Sequence, residues 1–167
     1  KFMQYAKECT QVDISTSWHK SGSYSQYDFS NGESSIEIKT TMSDNSEVTI
    51  KHQQIFGDHP CTLVAINCEQ YEDGETIEEV IAAMYADPDA FNGMNFNINL
   101  AKELKRVSIV DVKEIRFGVR QIQFFAAEDI NPFPVIPDAV NNLSYKLDIS
   151  ELNPLSETDS DSILKTY

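Results

Sequence analysis

No stretch of this chain is apolar for long enough to cross a bilayer, and no secretory leader is visible. Basic residues are scarce: 13 Lys and Arg stand against 27 Asp and Glu, a formal net charge of −14. That balance excludes a protein that coats nucleic acid by charge alone. Cysteine is scarce too, with only Cys9, Cys61 and Cys68. An odd count, with no Cys-x-x-Cys pair and no clustered Cys/His set, excludes a disulfide framework and argues against structural zinc. Cys61 and Cys68 fall at opposite ends of one predicted strand, with Cα atoms roughly 23 Å apart and beyond disulfide reach. Reduced thiols in a cytoplasmic protein are the expectation. His19, His52 and His59 are scattered, as ordinary surface or turn histidines are. The sequon Asn142-Leu143-Ser144 has no meaning in that compartment.

With 167 residues the chain is long enough for one domain with a sizeable core. It begins on Lys1 rather than Met and is expected to be a piece of a longer protein. Its charge is unevenly spread. Residues 52–101 hold nine acids and no Lys or Arg. Between 102 and 120, Lys102, Lys105, Arg106, Lys113, Arg116 and Arg120 outnumber three acids. That basic stretch either tracks phosphates or forms a solvated helix and strand face. The run Glu72-Asp73-Glu75 lacks EF-hand spacing. Asp58-His59-Cys61 resembles a nucleophile set only superficially, because no oxyanion loop accompanies it.

Apolar periodicity and turn residues predict the elements. Residues 2–9 read as the end of a helix, and 10–23 as strand and loop around Trp18. Hairpin strands follow near 24–30 and 34–41, then a turn at 43–46. Val48 and Ile50 alternate with polar residues in a third short strand, and 53–56 form a helical turn ended by Gly57. Residues 62–70 read as a buried strand. Thr76 with Glu79 three residues on is a capping box, opening a helix to about Ala86 with Glu78 and Glu79 facing water. A second helix spans 97–106. Two strands are expected in 107–127, on either side of Arg116-Phe117-Gly118. Pro132, Pro134 and Pro137 mark a loop, 143–149 is a last strand, and the polar tail 156–167 is expected to be mobile.

The stretch Tyr27–Lys39 carries the chemistry. Asn-Gly between two alternating runs signals a hairpin. A two-residue turn at Asn31-Gly32 would pair Ser30 with Glu33 and Asp28 with Ser35. Tyr27, Phe29, Ile36 and Ile38 would then form one apolar face, and Asp28, Ser35, Glu37 and Lys39 the other. Asp28 and Glu37 become diagonal neighbours, roughly 7 Å apart at the backbone. Two carboxylates at that separation can share a hard divalent cation, with the Ile38 carbonyl as a third oxygen. Lys39 emerges on the same face, where its ammonium can orient a water and offset charge on a phosphorane. Gln54 either positions water or contacts the Lys39 strand, or else serves as a capping side chain. This is the equipment of Mg²⁺-assisted phosphodiester hydrolysis, with Mn²⁺ as a substitute.

The segment YDFSNGESSIEIKTTMSDNSEVTIKHQQIF resembles the active-site region of the PD-(D/E)XK nucleases. It is most similar to a bacterial group known as PD-(D/E)XK motif proteins, through Asp28-Phe29, Glu37-Ile38-Lys39-Thr40-Thr41 and Gln54-Ile55. The likeness extends over 62–70, 75–86 and the YKLDIS ending at 145–150, covering about Trp18 to Leu152. Two features depart from the pattern. Tyr27 stands where the nominal Pro would be, and the helix that carries a glutamate in many members is mostly missing; Glu8 is a poor candidate for that group, which is expected before Lys1.

The resemblance implies an α/β (α+β), restriction-endonuclease-like mixed sheet flanked by helices, with a C-terminal β-rich extension. Residues 1–23 would form a helix end and lead-in loop, 24–86 the nuclease core, 87–152 its helix and β extension, and 153–167 an acidic mobile tail. The implied activity is metal-dependent cleavage of double-stranded DNA in restriction or phage defence. An ATPase or methyltransferase partner is implied as well, and double-strand cutting favours a homodimer. The alternative is a non-catalytic acidic module that binds a basic protein, or a scaffold subunit of a defence complex.

Overall fold

A computed structural model describes residues 1–19, 26–42, 46–57, 59–130, 140 and 142–167. Its centre is a mixed four-stranded sheet formed by β1 (Phe29–Ser30), β2 (Ser35–Met42), β4 (Cys61–Thr76) and β5 (Arg116–Ala126), in the order β1-β2-β4-β5. β1 and β5 run antiparallel to their neighbours, while β2 and β4 are parallel. A parallel pair requires a crossover. Here the crossover is β3 (Glu47–Lys51) followed by the short helix α2 (His52–Ile55). β3 pairs not with the central sheet but with β6 (Ser144–Asp148), as a separate antiparallel ribbon.

Strand alternation sorts the side chains into two cores. Phe29, Ile36, Val64, Ile66 and Phe124 face one side, against Phe2 and Ala6 of α1 (Phe2–Thr10). The same core includes Val80 and Met84 of α3 (Ile77–Tyr85) and Phe96 of α4 (Met94–Leu104). Phe2 meets Phe29 edge to face with ring centroids 5.5 Å apart, which fixes α1 over β1. Leu63, Ala65 and Phe125 face the other side, against Val48 and Ile50 of β3, Ile55 of α2 and Ile149. The result is the mixed sheet with flanking helices of a restriction-endonuclease-like fold. Among the described residues no helix is long and apolar enough to cross a membrane.

The capping box forms as expected, with the Glu79 backbone N–H donating to Thr76 Oγ1 and the Thr76 N–H to Glu79 Oε2. Other expectations need correction. The hairpin register is Ser30 opposite Ser35 and Phe29 opposite Ile36, a slip of two residues. The reason is Asn31, whose Oδ1 accepts from the N–H groups of Glu33 (2.9 Å) and Ser34 (2.8 Å). This Asx-type closure spreads the turn over 31–34, with only Gly32 at positive φ (+97°). Because the slip is even, each residue of β2 keeps its face. Tyr27 does not join Phe29, since the chain bends at 26–28 and Tyr27 packs on the second core.

The two strands expected in 107–127 are a helix and one strand. α5 (Ile109–Glu114) is capped by Ser108, and its β-branched residues imitate a strand pattern. β5 runs unbroken through Gly118, where the lack of a Cβ leaves room for the Tyr71 ring. β4 is far longer than 62–70, continuing through a bulge to Thr76. The tail expected to be mobile holds α6 (Glu157–Leu164), with Ser156 as its cap and Leu164 fully buried. Asn31 Nδ2 donates to the Thr166 carbonyl (3.1 Å) and Ser34 Oγ to Tyr167 Oη (3.0 Å), so the C-terminus braces the hairpin loop. The predicted strand at 24–25, the turn at 43–45, Asp58 and the proline loop lie outside the described residues.

If α6 is part of the core, Leu164→Ala is expected to cost about 2–5 kcal/mol, as buried Leu truncations do. Denaturant unfolding of the two proteins measures it, and a loss below about half a kcal/mol would detach α6 from the fold.

Candidate active site

The second face of β2 presents Ser35, Glu37, Lys39 and Thr41 in alternation, beneath α2. Glu37 is 2% exposed although it is an acid in the middle of a strand. Its Oε1 accepts from Lys39 Nζ (2.6 Å) and from Gln54 Nε2 (2.6 Å). The Gln54 Oε1 atom lies 3.4 Å from Lys39 Nζ and accepts from the Lys51 N–H at 3.3 Å. One amide therefore links the carboxylate, the ammonium and the first turn of α2. Gln54 both caps α2 and contacts the Lys39 strand, so these two of its expected roles are filled together.

Asp28 arrives from the opposite side. Continuing the β1–β2 register sets it across from Glu37 rather than Ser35. Its Oδ2 accepts the Ile38 N–H at 2.8 Å. In a strand the N–H and C=O of one residue point the same way. The Ile38 carbonyl is thus directed at the β1 edge where Asp28 lies. The His19 N–H donates to the Asp28 carbonyl (3.0 Å), which anchors this bend to the segment after Trp18.

Burial holds the Glu37 carboxyl well above its usual range, at about 7, and the negative charge of Asp28 adds to the effect. Lys39 and Lys51 pull the other way and do not overcome it. The other Glu37 oxygen, Oε2, is buried without a hydrogen-bond partner. An orphaned carboxylate oxygen in a dry site is costly unless a cation or proton meets it. Asp28, Glu37 and the Ile38 carbonyl could offer a hard divalent ion oxygen donors alone, the kind it takes while keeping part of its water shell. Among the described residues no three His, Cys, Asp or Glu side chains converge.

Asp28, Glu37, Lys39 and Gln54 are thus brought together. Lys51, which the sequence reading passed over, joins them through Gln54 and through its charge on Glu37. Gln26 joins by accepting from Gln54 Nε2 at its carbonyl (3.4 Å). The position of Lys51, immediately before the first residue of α2, is the signal that could have found it. Glu8 is exposed on α1. The basic stretch lies elsewhere, and four of its six members meet acids: Arg106 with Glu103, Lys113 with Glu78, Arg116 with Glu79 and Arg120 with Glu69.

A family model described as "Putative PD-(D/E)XK family member, (DUF4420)" matches residues 6–150. The matched span includes all of β1–β6 and every residue of the cluster. No curated protein and no solved structure matches the chain.

The raised Glu37 pKa has a consequence for stability. Its folded value of about 7 lies above the ordinary 4.5, so the folded state binds this proton more tightly. Its contribution is intact below pH 4.5 and is lost as pH rises to 7, by at most about 3 kcal/mol. Urea unfolding from pH 5 to pH 8 should show wild type losing stability relative to Glu37→Gln. Parallel pH profiles for the two would place the Glu37 carboxyl in water.

Proposed function

The chain belongs to the PD-(D/E)XK family DUF4420, and from that membership we propose that it is a metal-dependent DNA endonuclease. The observation that carries the reading is Glu37, buried beside Asp28 with one oxygen held by Lys39 and Gln54 and the other unpartnered. Asp28, Glu37 and the Ile38 carbonyl would hold Mg²⁺, with Mn²⁺ as a substitute. When bound, the ion would supply Lewis acidity and neutralise charge at the phosphodiester.

The chain's own residues do the rest. Glu37 fixes the Lys39 ammonium, so a positive charge stands ready beside the phosphate before it arrives. Lys39 orients the attacking water and offsets the negative charge that builds as the P–O bond to the leaving oxygen breaks. Gln54 holds Glu37 and Lys39 in one geometry and ties both to α2, which limits reorganisation during attack. Asp28, tethered through the Ile38 N–H, keeps its carboxylate at the β2 edge. Each site of this kind cuts one strand, so double-strand cleavage would engage two copies. The setting we infer, on the resemblance alone, is restriction or phage defence with an ATPase or methyltransferase partner.

The test is cleavage of modified and unmodified phage and plasmid DNA in Mg²⁺ and in Mn²⁺. Wild type should cut only with metal, and Asp28→Ala, Glu37→Ala and Lys39→Ala should each lower the rate by at least about a hundredfold. Cutting that persists in Lys39→Ala would remove Lys39 from the site. No cutting by any protein would favour a non-catalytic binding module. Divalent ions should also raise the melting temperature of wild type, and more at pH 8 than at pH 5, because protons compete for Glu37. Equal shifts in Glu37→Ala would contradict the metal assignment.

A further inference from the structure

Beyond Lys39 the same sheet face opens into a polar cleft of about 690 Å³. Its floor follows from the strand register. Glu37, Leu63 and Phe125 align across β2, β4 and β5, and that row is sealed in the second core. The next row is Lys39, Ala65 and Gln123, where the single methyl of Ala65 leaves a trough. The row after it is Thr41, Asn67 and Gln121. The trough thus leads from the Lys39 strand to three carboxamides.

The walls are chemically divided. Asn67, Gln121 and Gln123 carry amides, each able to donate and to accept. Asn67 Nδ2 donates to Thr41 Oγ1 at 3.2 Å, which fixes the orientation of that amide. Ile149 and Leu152 line the cleft as an apolar wall. Arg120 at the rim is engaged by Glu69. A phosphate needs net positive charge, which this cleft does not concentrate. A nucleobase needs neutral donors and acceptors at its edge and apolar contact on its face, which the cleft provides.

We infer that the cleft receives a nucleobase of the strand whose phosphodiester stands at Glu37 and Lys39, with Gln121, Gln123 and Asn67 reading its edge. This rests on the nuclease reading above. Asparagine and glutamine pair well with base edges, adenine above all. A chain with net charge −14 also gains little hold on DNA from long-range attraction, so directed contacts must supply register as well as specificity.

Gln121→Leu, Gln123→Leu and the double variant test the assignment through two readouts. The first is base preference around the cut in a pool of random-sequence duplexes cleaved in Mg²⁺. The second is binding of labelled oligonucleotides in Mg²⁺ in a Lys39→Ala background, which does not depend on cutting. Melting temperatures accompany both, and Gln123→Met replaces Gln123→Leu if the latter loosens the fold. The double variant should keep cutting but lose preference at one base position by at least about fivefold, and bind more weakly by a similar factor. Cleavage with unchanged preference and unchanged binding overturns the cleft and leaves the nuclease reading standing. Amide-dependent binding without cleavage by wild type supports the cleft as a nucleic-acid subsite and overturns the nuclease reading. Neither binding nor cleavage overturns both.

Discussion

The burial of the Glu37 carboxylate is the constraint on which the rest of the structure depends. An acid at 2% exposure loses most of its hydration, and its neighbour Asp28 carries the same charge. Two donors converge on one of its oxygens to offset that loss, Lys39 from β2 itself and Gln54 from outside the strand. Gln54 reaches Glu37 because the parallel pairing of β2 with β4 demands a crossover, and the crossover ends in α2 directly over the sheet. The β3–β6 ribbon closes the second core behind it and keeps water away. Topology thus delivers a polar bridge and a dry environment to a strand acid.

Much of the site was legible because it depends on alternation and on short-range chemistry. Asp28, Glu37 and Lys39 share a face in any even register, so the two-residue slip of the hairpin moved Asp28 from diagonal to opposite without breaking the cluster. The capping box at Thr76 was legible for the same reason, since its partners are three residues apart. The burial of Glu37 was not, because it is set by α2 and the ribbon, which come from distant segments. Lys51 was missed on that account. α5 was misread because Ile109, Val110 and Val112 suit either state until Ser108 caps them. α6 was misread because its first turn is acidic and only Ile163 and Leu164 betray a buried side.

The charge distribution completes the account. The basic residues of 102–120 chiefly neutralise acids of β4, α3 and α4 in exposed pairs, which contribute little stability and leave little free positive field. A polyanion approaching this surface would be held by directed interactions more than by steering. The groups that would supply them lie on one sheet face, with carboxylates and an ammonium at one end and amides at the other. Phosphate chemistry and base reading would then occupy adjoining rows of a single three-stranded surface.

The central claim is that Asp28 and Glu37 form a divalent-cation site. The most direct measurement is calorimetric titration of Mn²⁺ into wild type and Glu37→Gln at pH 7, in buffers of different ionisation enthalpy. The account predicts a saturable site in wild type that releases a fraction of a proton on binding, because the raised pKa leaves Glu37 partly protonated near neutral pH, and its loss in Glu37→Gln. Equal Mn²⁺ uptake by both proteins, with no proton release, would contradict it.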